Sequence, residues 1–431
     1  MRSSAAPLTA YWTFLRANTR FIAFGFVLTL ASSFGQTFFI ALFSDGIRGA
    51  FSLSDGQFGL TYSLATLASG FSIIWLGSLI DRLELRVMTL AVCAGMIAAA
   101  LLMALSPKVL VLAMAIYLLR LNGQGLLGHI ATTCMARYFH RDRGKAISLA
   151  SLGYPTGEAV LPVLAVGAIG MIGWRHTWLA IAGLLLMTLI PMVLWLLVGH
   201  GDRHRAHVAE IDDAQRRTAD DADSTKAIGR QWTRSEVLRD PRFAMILPAT
   251  IAPAFILTGL FFHQVRMVEE QGWRLEWFAA CFVGYAESQL FSALGSGELI
   301  DRIGARRILP LYLLPLMTGL LVLMMFKHAV AAPVLMLVLL GLTSGMVGPL
   351  VNSTWAELYG IKHLGSIRAL STACMVFSTS GSPFLMGALI DLGVRIDAIA
   401  AGLCLLAGVA SVLAFVALRS GKEPKSGAQG P

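Results

Sequence analysis

Three ionisable side chains stand inside long apolar runs of this chain, namely Arg120, Glu158 and Glu287. A charge inside a membrane-spanning segment is costly, so its default interpretation is functional, with a partner. An arginine there can bind a carboxylate, and a carboxylate in a medium of low dielectric constant can exchange a proton. The pattern predicts anion binding at Arg120 and proton binding at Glu158 or Glu287. A structural Arg120–Glu158 ion pair is the alternative.

Other polar side chains of the apolar runs are weaker candidates for a binding site. Gln124 follows Arg120 by four residues and Tyr154 precedes Glu158 by four, so each pair is predicted to share a helix face. Further candidates lie on, or at the ends of, other apolar runs: Gln36, Tyr285, His263 and Asn352. Aromatic and histidine side chains at such ends are often anchors at the membrane surface.

The elements that must position these residues are membrane-spanning helices. Hydrophobic residues make up 56% of the chain and charged residues only 14%, which leaves too little polar surface for a soluble globule of 431 residues. Runs of about 20 apolar residues can cross a bilayer as helices. The sequence predicts twelve such spans, at 21–43, 57–80, 87–106, 109–135, 144–168, 174–198, 243–263, 276–296, 308–326, 330–353, 366–389 and 397–418.

Polar segments divide these spans into two sets of six. The stretch from His200 to Arg242 carries runs of charge and few large apolar residues, so it is predicted to be a solvated linker. The predicted organisation is an N-tail, a first six-helix bundle, a linker, a second six-helix bundle and a C-tail, at 1–20, 21–198, 199–242, 243–418 and 419–431.

The net charge of +9 is explained by membrane topology. Most Lys and Arg residues fall in loops on the side of both termini, and the positive-inside rule predicts that this side is cytoplasmic. A nucleic-acid partner is therefore unnecessary. The expected location is the plasma membrane, or the inner membrane of a bacterium, with the lipid bilayer as surroundings.

A loop motif occurs twice, half the chain apart. Gly77-Ser-Leu-Ile-Asp-Arg-Leu-Glu-Leu-Arg86 follows the second predicted span, and Gly297-Glu-Leu-Ile-Asp-Arg-Ile-Gly-Ala-Arg306 follows the eighth. A lone Asp-Arg pair carries little weight, but a matched ten-residue pattern at the same place in each half indicates an internal repeat.

This loop resembles the signature G-x-L-x-D-R-x-G-x-R of the major facilitator superfamily, although Glu84 replaces the usual Gly in the first copy. The resemblance covers about residues 21–418. It implies an all-α membrane protein with twelve transmembrane helices in two pseudo-symmetric six-helix bundles, working as a monomer by alternating access. It also assigns a cytoplasmic conformational latch to Asp81, Arg82, Arg86, Asp301, Arg302 and Arg306. The alternative is that these residues serve only in helix capping and topology anchoring.

The segment from Arg137 to Gly153 resembles the start of the fifth helix in the monocarboxylate-porter branch, with its oxalate–formate-type relatives. That resemblance implies a small organic acid as substrate, often moved with a proton. The eighth span has Glu287 where that branch places its anion-binding arginine, so Arg120 would have to supply the positive charge. The alternative is a proton-coupled exporter of hydrophobic or cationic compounds, with Glu158 and Glu287 as its binding groups.

Other classes of function lack their signatures. The five cysteines form no CxxC pair and read as packing residues, so neither a disulfide framework nor a metal site is expected. No P-loop and no motif of an intramembrane enzyme is present. We therefore expect a transporter that has no cofactor and is not an enzyme.

Overall fold

The computed structural model describes residues 5–81, 83–139, 142–201, 232–360 and 363–419. The chain divides into two compact units. The first comprises residues 1–53 and 61–226, and the second comprises residues 54–60 and 227–431. The segment Ser54–Leu60 thus packs with the second unit, although sequence order puts it in the first six spans. Residues 1–4 and 420–431 of the predicted tails and residues 202–231 of the predicted linker lie outside the described residues, whereas residues 5–20 of the predicted N-tail belong to the first helix, Ala5–Ser32.

The first unit is helical throughout its described part. Its α-helices, with the start of α4 in the second unit, are α1 (Ala5–Ser32), α2 (Thr37–Ile40), α3 (Ser44–Phe51), α4 (Asp55–Leu76), α5 (Leu85–Leu105), α6 (Val109–Leu118), α7 (Gly128–Tyr138), α8 (Arg143–Ser151), α9 (Gly153–Leu184) and α10 (Ile190–Leu196). Short 3-10 segments (Ser33–Gly35, Ala41–Phe43, Gly77–Asp81) and two π-helical segments (Leu119–Leu127, Leu185–Leu189) join some of them. Apolar residues form these helices because a helix satisfies its own backbone hydrogen bonds in lipid.

The second unit is also helical in its described part. Its helices are α11 (Arg234–Arg239), α12 (Pro241–Phe262), α13 (Gln264–Gln271), α14 (Leu275–Ile303), α15 (Ala305–Ile308), α16 (Leu314–Met325), α17 (Ala332–Tyr359), α18 (Leu364–Asp391) and α19 (Ile396–Arg419). Helices α14 and α17 pack closely at glycines: an added Cβ on Gly341 would lie 2.4 Å from the Tyr285 carbonyl oxygen, and one on Gly345 would lie 2.1 Å from that of Gln289.

Each of the twelve predicted spans coincides with helical segments of the described chain. Within those residues, eight helices pass a strict test of length and hydropathy for crossing a membrane, and nine if the bent first span is included. The number is below twelve partly because the fifth and sixth spans form one run, Arg143–Leu196. Gly173 divides that run, because its φ of 75° and ψ of 164° are not helical. The all-helical membrane fold is thereby confirmed.

Candidate functional site

The first span breaks in the middle of the bundle. Helix α1 passes through the 3-10 turn Ser33–Gly35, and α2 begins after Gln36, whose ψ of 154° is extended. The two parts of the span are bent by 46°. The amide of Phe39 donates to the Gln36 carbonyl at 3.2 Å instead of to that of Gly35, which is its α-helical partner. The Gly35 carbonyl is therefore released from the helical ladder.

The fourth span is irregular as well. Residues Leu119–Leu127 form a π-helix between α6 and α7, and this segment contains both Arg120 and Gln124. π-Helical turns are rare and often occur at functional sites.

The two irregular segments contact each other through glycine. An added Cβ on Gly35 would lie 2.2 Å from the Leu119 carbonyl oxygen and 2.8 Å from the Cα of Gly123. An added Cβ on Gly123 would lie 2.7 Å from the Cα of Gly35. No larger residue fits at either position, because the atoms that it would meet belong to the backbone. This approach brings the break in the first span against the π-helix that carries Arg120.

Arg120 occupies the resulting pocket and is only 6% exposed. Its Nη1 donates to the released Gly35 carbonyl and to the Thr37 hydroxyl, both at 3.3 Å. The Tyr62 ring lies 5.3 Å from the guanidinium carbon, within range of a cation–π contact. The Tyr62 hydroxyl in turn donates to Thr37 at 2.8 Å. The guanidinium is thus held by a carbonyl, a hydroxyl and an aromatic face.

The charge of Arg120 is not neutralised within the described part of the chain. No carboxylate there lies within 4.0 Å of its guanidinium, and its Nε is buried without a hydrogen-bond partner. The alternative of a direct Arg120–Glu158 ion pair is therefore absent from this structure. A buried guanidinium held only by neutral groups is costly unless an anion joins it.

Glu158 and Tyr154 lie on α9, which packs against α1. The Tyr154 hydroxyl lies 2.3 Å from the position of an added Cβ on Gly128 of α7, and the Ser33 hydroxyl lies 2.1 Å from that on Gly157. Glu158 is half-buried, but its Oε2 is enclosed and has no hydrogen-bond partner among the described residues. A carboxyl oxygen in such surroundings is suited to binding a proton.

Two further candidates of the first unit, Gln36 and Gln124, are more exposed than Arg120. Gln36 is half-buried at the break of the first span, and Gln124 is exposed. The sequence predicted one shared face for Arg120 and Gln124; both lie in the π-helical segment, and they differ in burial.

Three candidates of the second unit lie on α14 and α17. Tyr285 is buried and donates to the Ser344 hydroxyl at 3.1 Å, and Asn352 is half-buried on α17. Glu287 lies on an exposed stripe of α14 with Val283 and Phe291. Since an ionised carboxylate is costly in hydrocarbon, this stripe is expected to border water or protein.

His263 lies at the end of α12. It is 4% exposed, and its Nε2 donates to the Pro383 carbonyl at 2.9 Å.

The second copy of the loop motif is tied to the end of α17. The Glu357 carboxylate accepts from the amides of Ala305 at 2.9 Å and Arg306 at 3.4 Å, and it also lies 3.8 Å from the Arg306 guanidinium. Arg306 also donates to the Glu357 carbonyl, and Arg302 pairs with Glu298 on the surface of α14. Asp301 is exposed. The φ of 90° at Gly304 turns the chain into this arrangement.

The first copy is held differently. Arg137 donates to the Ile80 carbonyl at 3.3 Å, and His129 Nε2 lies 3.2 Å from the Gly77 carbonyl. Arg86 is exposed, Arg82 lies outside the described residues, and Asp81 is placed in the 3-10 segment Gly77–Asp81. A cation thus contacts the carbonyl groups of the first loop, whereas a carboxylate contacts the amides of the second.

Thr37 and Tyr62 were not among the predicted site residues, although both belong to the Arg120 pocket. Thr37 directly follows the predicted Gln36, and Tyr62 is an aromatic residue with a hydroxyl inside a span. A polar aromatic residue placed well inside an apolar run was the available signal.

The comparisons with known proteins agree with this architecture. The family model of the Major Facilitator Superfamily matches residues 25–383 and, a second time, residues 270–431. The chain belongs to this superfamily. Its members are transporters, so this chain is a multi-pass membrane transporter and not an enzyme. No curated protein sequence matches it significantly.

Two solved structures share the fold. Both are described as a bacterial homologue of the human lysosomal transporter Spinster, one inward-facing and occupied, the other inward-facing and unoccupied. The occupied form is 14% identical, covers 95% of this chain and 97% of its own, and has a TM-score of 0.65. The unoccupied form is 12% identical, covers 93% and 97%, and has a TM-score of 0.63. At this identity the similarity shows the fold alone.

Proposed function

We propose that this superfamily member moves a small organic acid across the membrane by alternating access, with Arg120 binding the substrate carboxylate. The supporting observation is the buried guanidinium, which has neutral partners on one side and no carboxylate within 4.0 Å among the described residues. A guanidinium can hold a carboxylate through two parallel hydrogen bonds, and its unpartnered Nε is one donor for them. The monocarboxylate-porter resemblance of residues 137–153 points to the same substrate class.

Glu158 is proposed to carry the coupling proton. Its Oε2 is enclosed without a hydrogen-bond partner in the described chain, so a bound proton removes a charge that the surroundings do not stabilise. Glu287 is the second candidate, because it is a mid-span carboxylate on an exposed face of α14. Transport is proposed to occur as a monomer, in the plasma or bacterial inner membrane, with both termini cytoplasmic.

The test is uptake of a panel of radiolabelled small carboxylates into proteoliposomes with an inward proton gradient. We expect uptake that stops when the gradient is collapsed. Arg120→Ala should reduce uptake at low substrate concentration about ten- to a hundredfold, because it removes charge-assisted hydrogen bonds worth about 1.5–3 kcal/mol. Arg274→Ala is the matched control: Arg274 is 83% exposed and pairs with Glu276, so uptake should not change.

Glu158→Gln separates coupling from binding. This variant should lose accumulation driven by the proton gradient, yet retain exchange of labelled for unlabelled substrate, because a neutral amide mimics the permanently protonated acid. If the uptake of every acid by wild type and by Arg120→Ala is the same, Arg120 is not the anion site.

A second candidate function is proton-coupled export of cationic compounds. The observation that favours it is that Glu158 and Glu287 have no cationic partner within 4.0 Å among the described residues. Expulsion of cationic dyes from the same proteoliposomes, without uptake of any acid, would establish this function in place of the first.

A further inference from the structure

The first turn of α4 is bound to the second unit by a carboxylate of another helix. Asp391, the last residue of α18, accepts from the amides of Asp55 at 3.1 Å and Gly56 at 2.9 Å, and from the Ser54 hydroxyl at 2.6 Å. The first amides of a helix have no partner within the helix, and its N-terminus attracts negative charge. Asp391 therefore caps α4 from outside.

Glycines bring the two backbones into contact at this place. An added Cβ on Gly56 would lie 3.3 Å from the Cα of Ala388, one on Gly59 would lie 2.5 Å from the Pro383 carbonyl oxygen, and one on Gly387 would lie 2.5 Å from that of Asp55. Beside them, the buried rings of Phe58 and Phe262 stack with centroids 5.0 Å apart. The first turn of α4 is thus fitted closely to α12 and α18.

His263 joins the same turn to α12, and its two ring nitrogens both face acceptors. Its Nε2 lies 2.9 Å from the Pro383 carbonyl, which cannot donate, so Nε2 must carry a proton. Its Nδ1 lies 3.6 Å from the Asp55 carboxylate, within ion-pair distance. If the ring is neutral, Nδ1 turns a lone pair toward the Asp55 carboxylate, which is unfavourable. If both nitrogens carry a proton, the ring attracts both the Pro383 carbonyl and the Asp55 carboxylate.

His263 lies at the junction of two helices. It is the C-cap residue of α12 and the N-cap residue of α13, so the dipoles of these helices act on its ring in opposite senses. Among the described residues near it, α4 carries Asp55, α18 carries Asp391 and α13 carries Glu269. On the following helix, Arg266 is already paired with Glu270 at 3.1 Å. The net charge around the ring is therefore negative when the ring is neutral.

We propose that Ser54, Asp55, Gly56, His263 and Asp391 form a proton-dependent clasp, which holds the first turn of α4 in the second unit while His263 is protonated. Helix α4 begins in the second unit and continues from Thr61 in the first. If the two units move as bodies, as alternating access requires, α4 must bend or its first turn must leave the clasp. Because the proton strengthens the Asp55 contact, low pH closes the clasp and rising pH loosens it. This proposal does not depend on the substrate.

The test measures the distance between spin labels on Leu60→Cys and Leu392→Cys by pulsed electron resonance, with the native cysteines replaced, in lipid nanodiscs without substrate. Both positions are exposed, and both belong to the second unit. We expect one short distance at about pH 5.5 and an added longer one at about pH 8, a range that brackets the ordinary titration of histidine. A wild-type distribution that is the same at both pH values would overturn the proposal.

Three variants distinguish the effect of the proton on His263 from the effect of the Asp391 cap on α4. His263→Gln keeps a donor for Pro383 but cannot titrate, so its distribution should be independent of pH. Asp55→Asn should remove the pH response as well, and it serves where His263→Gln fails to fold. Asp391→Ala should raise the long-distance population at both pH values while keeping the response.

The matched control is His176→Gln, because His176 is an exposed histidine outside the clasp. It should respond to pH like wild type. A full pH response in His263→Gln or Asp55→Asn would show that another group carries the proton, and would overturn the clasp.

Discussion

The first and fourth spans of the first unit are irregular, whereas the corresponding seventh and tenth spans of the second unit are continuous helices.

Proline content does not explain this difference, because the prolines lie in the continuous helices. Helix α12 contains Pro248 and Pro253, and α17 contains Pro349, yet each is one unbroken helix. The first span breaks after Gly35 and the fourth becomes π-helical, without a proline in either irregular segment. Close backbone contacts at Gly35 and Gly123, and the hydrogen bond from Arg120 to the Gly35 carbonyl, accompany the irregular backbone. Arg120, which is buried and has no carboxylate partner among the described residues, lies in the first unit, which contains both irregular spans.

The largest effect is expected from filling the contact between the two irregular segments. Gly35→Ala places a Cβ 2.2 Å from a backbone oxygen, which no side-chain movement relieves. We expect a loss of about 3 kcal/mol in unfolding free energy, or no folded protein. Gly348→Ala, in the continuous tenth span with open space around it, should instead gain about 0.5–1 kcal/mol.

Unfolding followed in detergent measures both variants. If Gly35→Ala is as stable as wild type, the contact between Gly35 and Gly123 does not shape the first unit.

The next effect concerns the two loop motifs. Gly304→Ala forces an alanine to a φ of 90° and a ψ of 142°, a region open essentially to glycine, and should destabilise the protein by about 1–3 kcal/mol. No atom lies within 4 Å of the added Cβ, so backbone strain is the only cause. Glu84→Ala, at a φ of −58°, should change stability by less than about 0.5 kcal/mol.

The difference in denaturation midpoint between these two variants checks the prediction. Equal midpoints would mean that the two loops have the same backbone requirement, contrary to the structure.

A smaller effect is expected at the Arg120 pocket. Tyr62→Phe removes the buried hydrogen bond to Thr37 and keeps the ring beside the guanidinium, for a loss of about 1 kcal/mol. If Thr37 is then free to turn away from Arg120, uptake at low substrate concentration should fall about fivefold. Tyr312→Phe, which breaks the hydrogen bond from Tyr312 to the Ala249 carbonyl in the second unit, should leave uptake within about twofold of wild type. Equal uptake by the two variants would remove Tyr62 from the site.

The smallest effect is expected at the surface ion pair of the second loop. Glu298→Gln breaks the Arg302–Glu298 pair, whose side chains are 73% and 69% exposed. Exposed pairs contribute about 0.2–1 kcal/mol and are screened by salt. Its unfolding free energy should therefore match wild type within about 0.5 kcal/mol at high salt. A larger loss that persists in salt would indicate a contact beyond this pair.

The features that the sequence predicts are those set by the residues of one continuous segment, namely the spans and the repeated loop motif. Hydropathy locates all twelve spans, and the repeated loop at Gly77 and Gly297 identifies the superfamily. Both signals are local, because a span needs only apolar residues and the motif lies in ten consecutive positions. The ionisable residues Arg120 and Glu158 inside apolar spans were visible for the same reason.

What could not be predicted depends on contacts between distant residues. The π-helix at Leu119–Leu127 lies where Gly123 meets Gly35 of another span, and this contact between two spans is not visible in the sequence of either one. The absence of an Arg120–Glu158 ion pair is likewise a matter of distance, which sequence leaves open. The placement of Ser54–Leu60 in the second unit contradicts sequence order, because three hydrogen bonds to Asp391 hold its first turn.

The single-residue joint at Gly173 bears on how the protein enters its membrane. Ordinary helical hairpins have loops of two to five residues, whereas here one non-helical residue separates the fifth span from the sixth. Because only one residue links these two helices, there is no loop that would let the fifth span enter the membrane before the sixth. They are expected to leave the translocation channel together as a preformed hairpin, with Trp174 and Arg175 at its tip. Lengthening this joint should therefore alter the order of insertion during synthesis before it alters the finished fold.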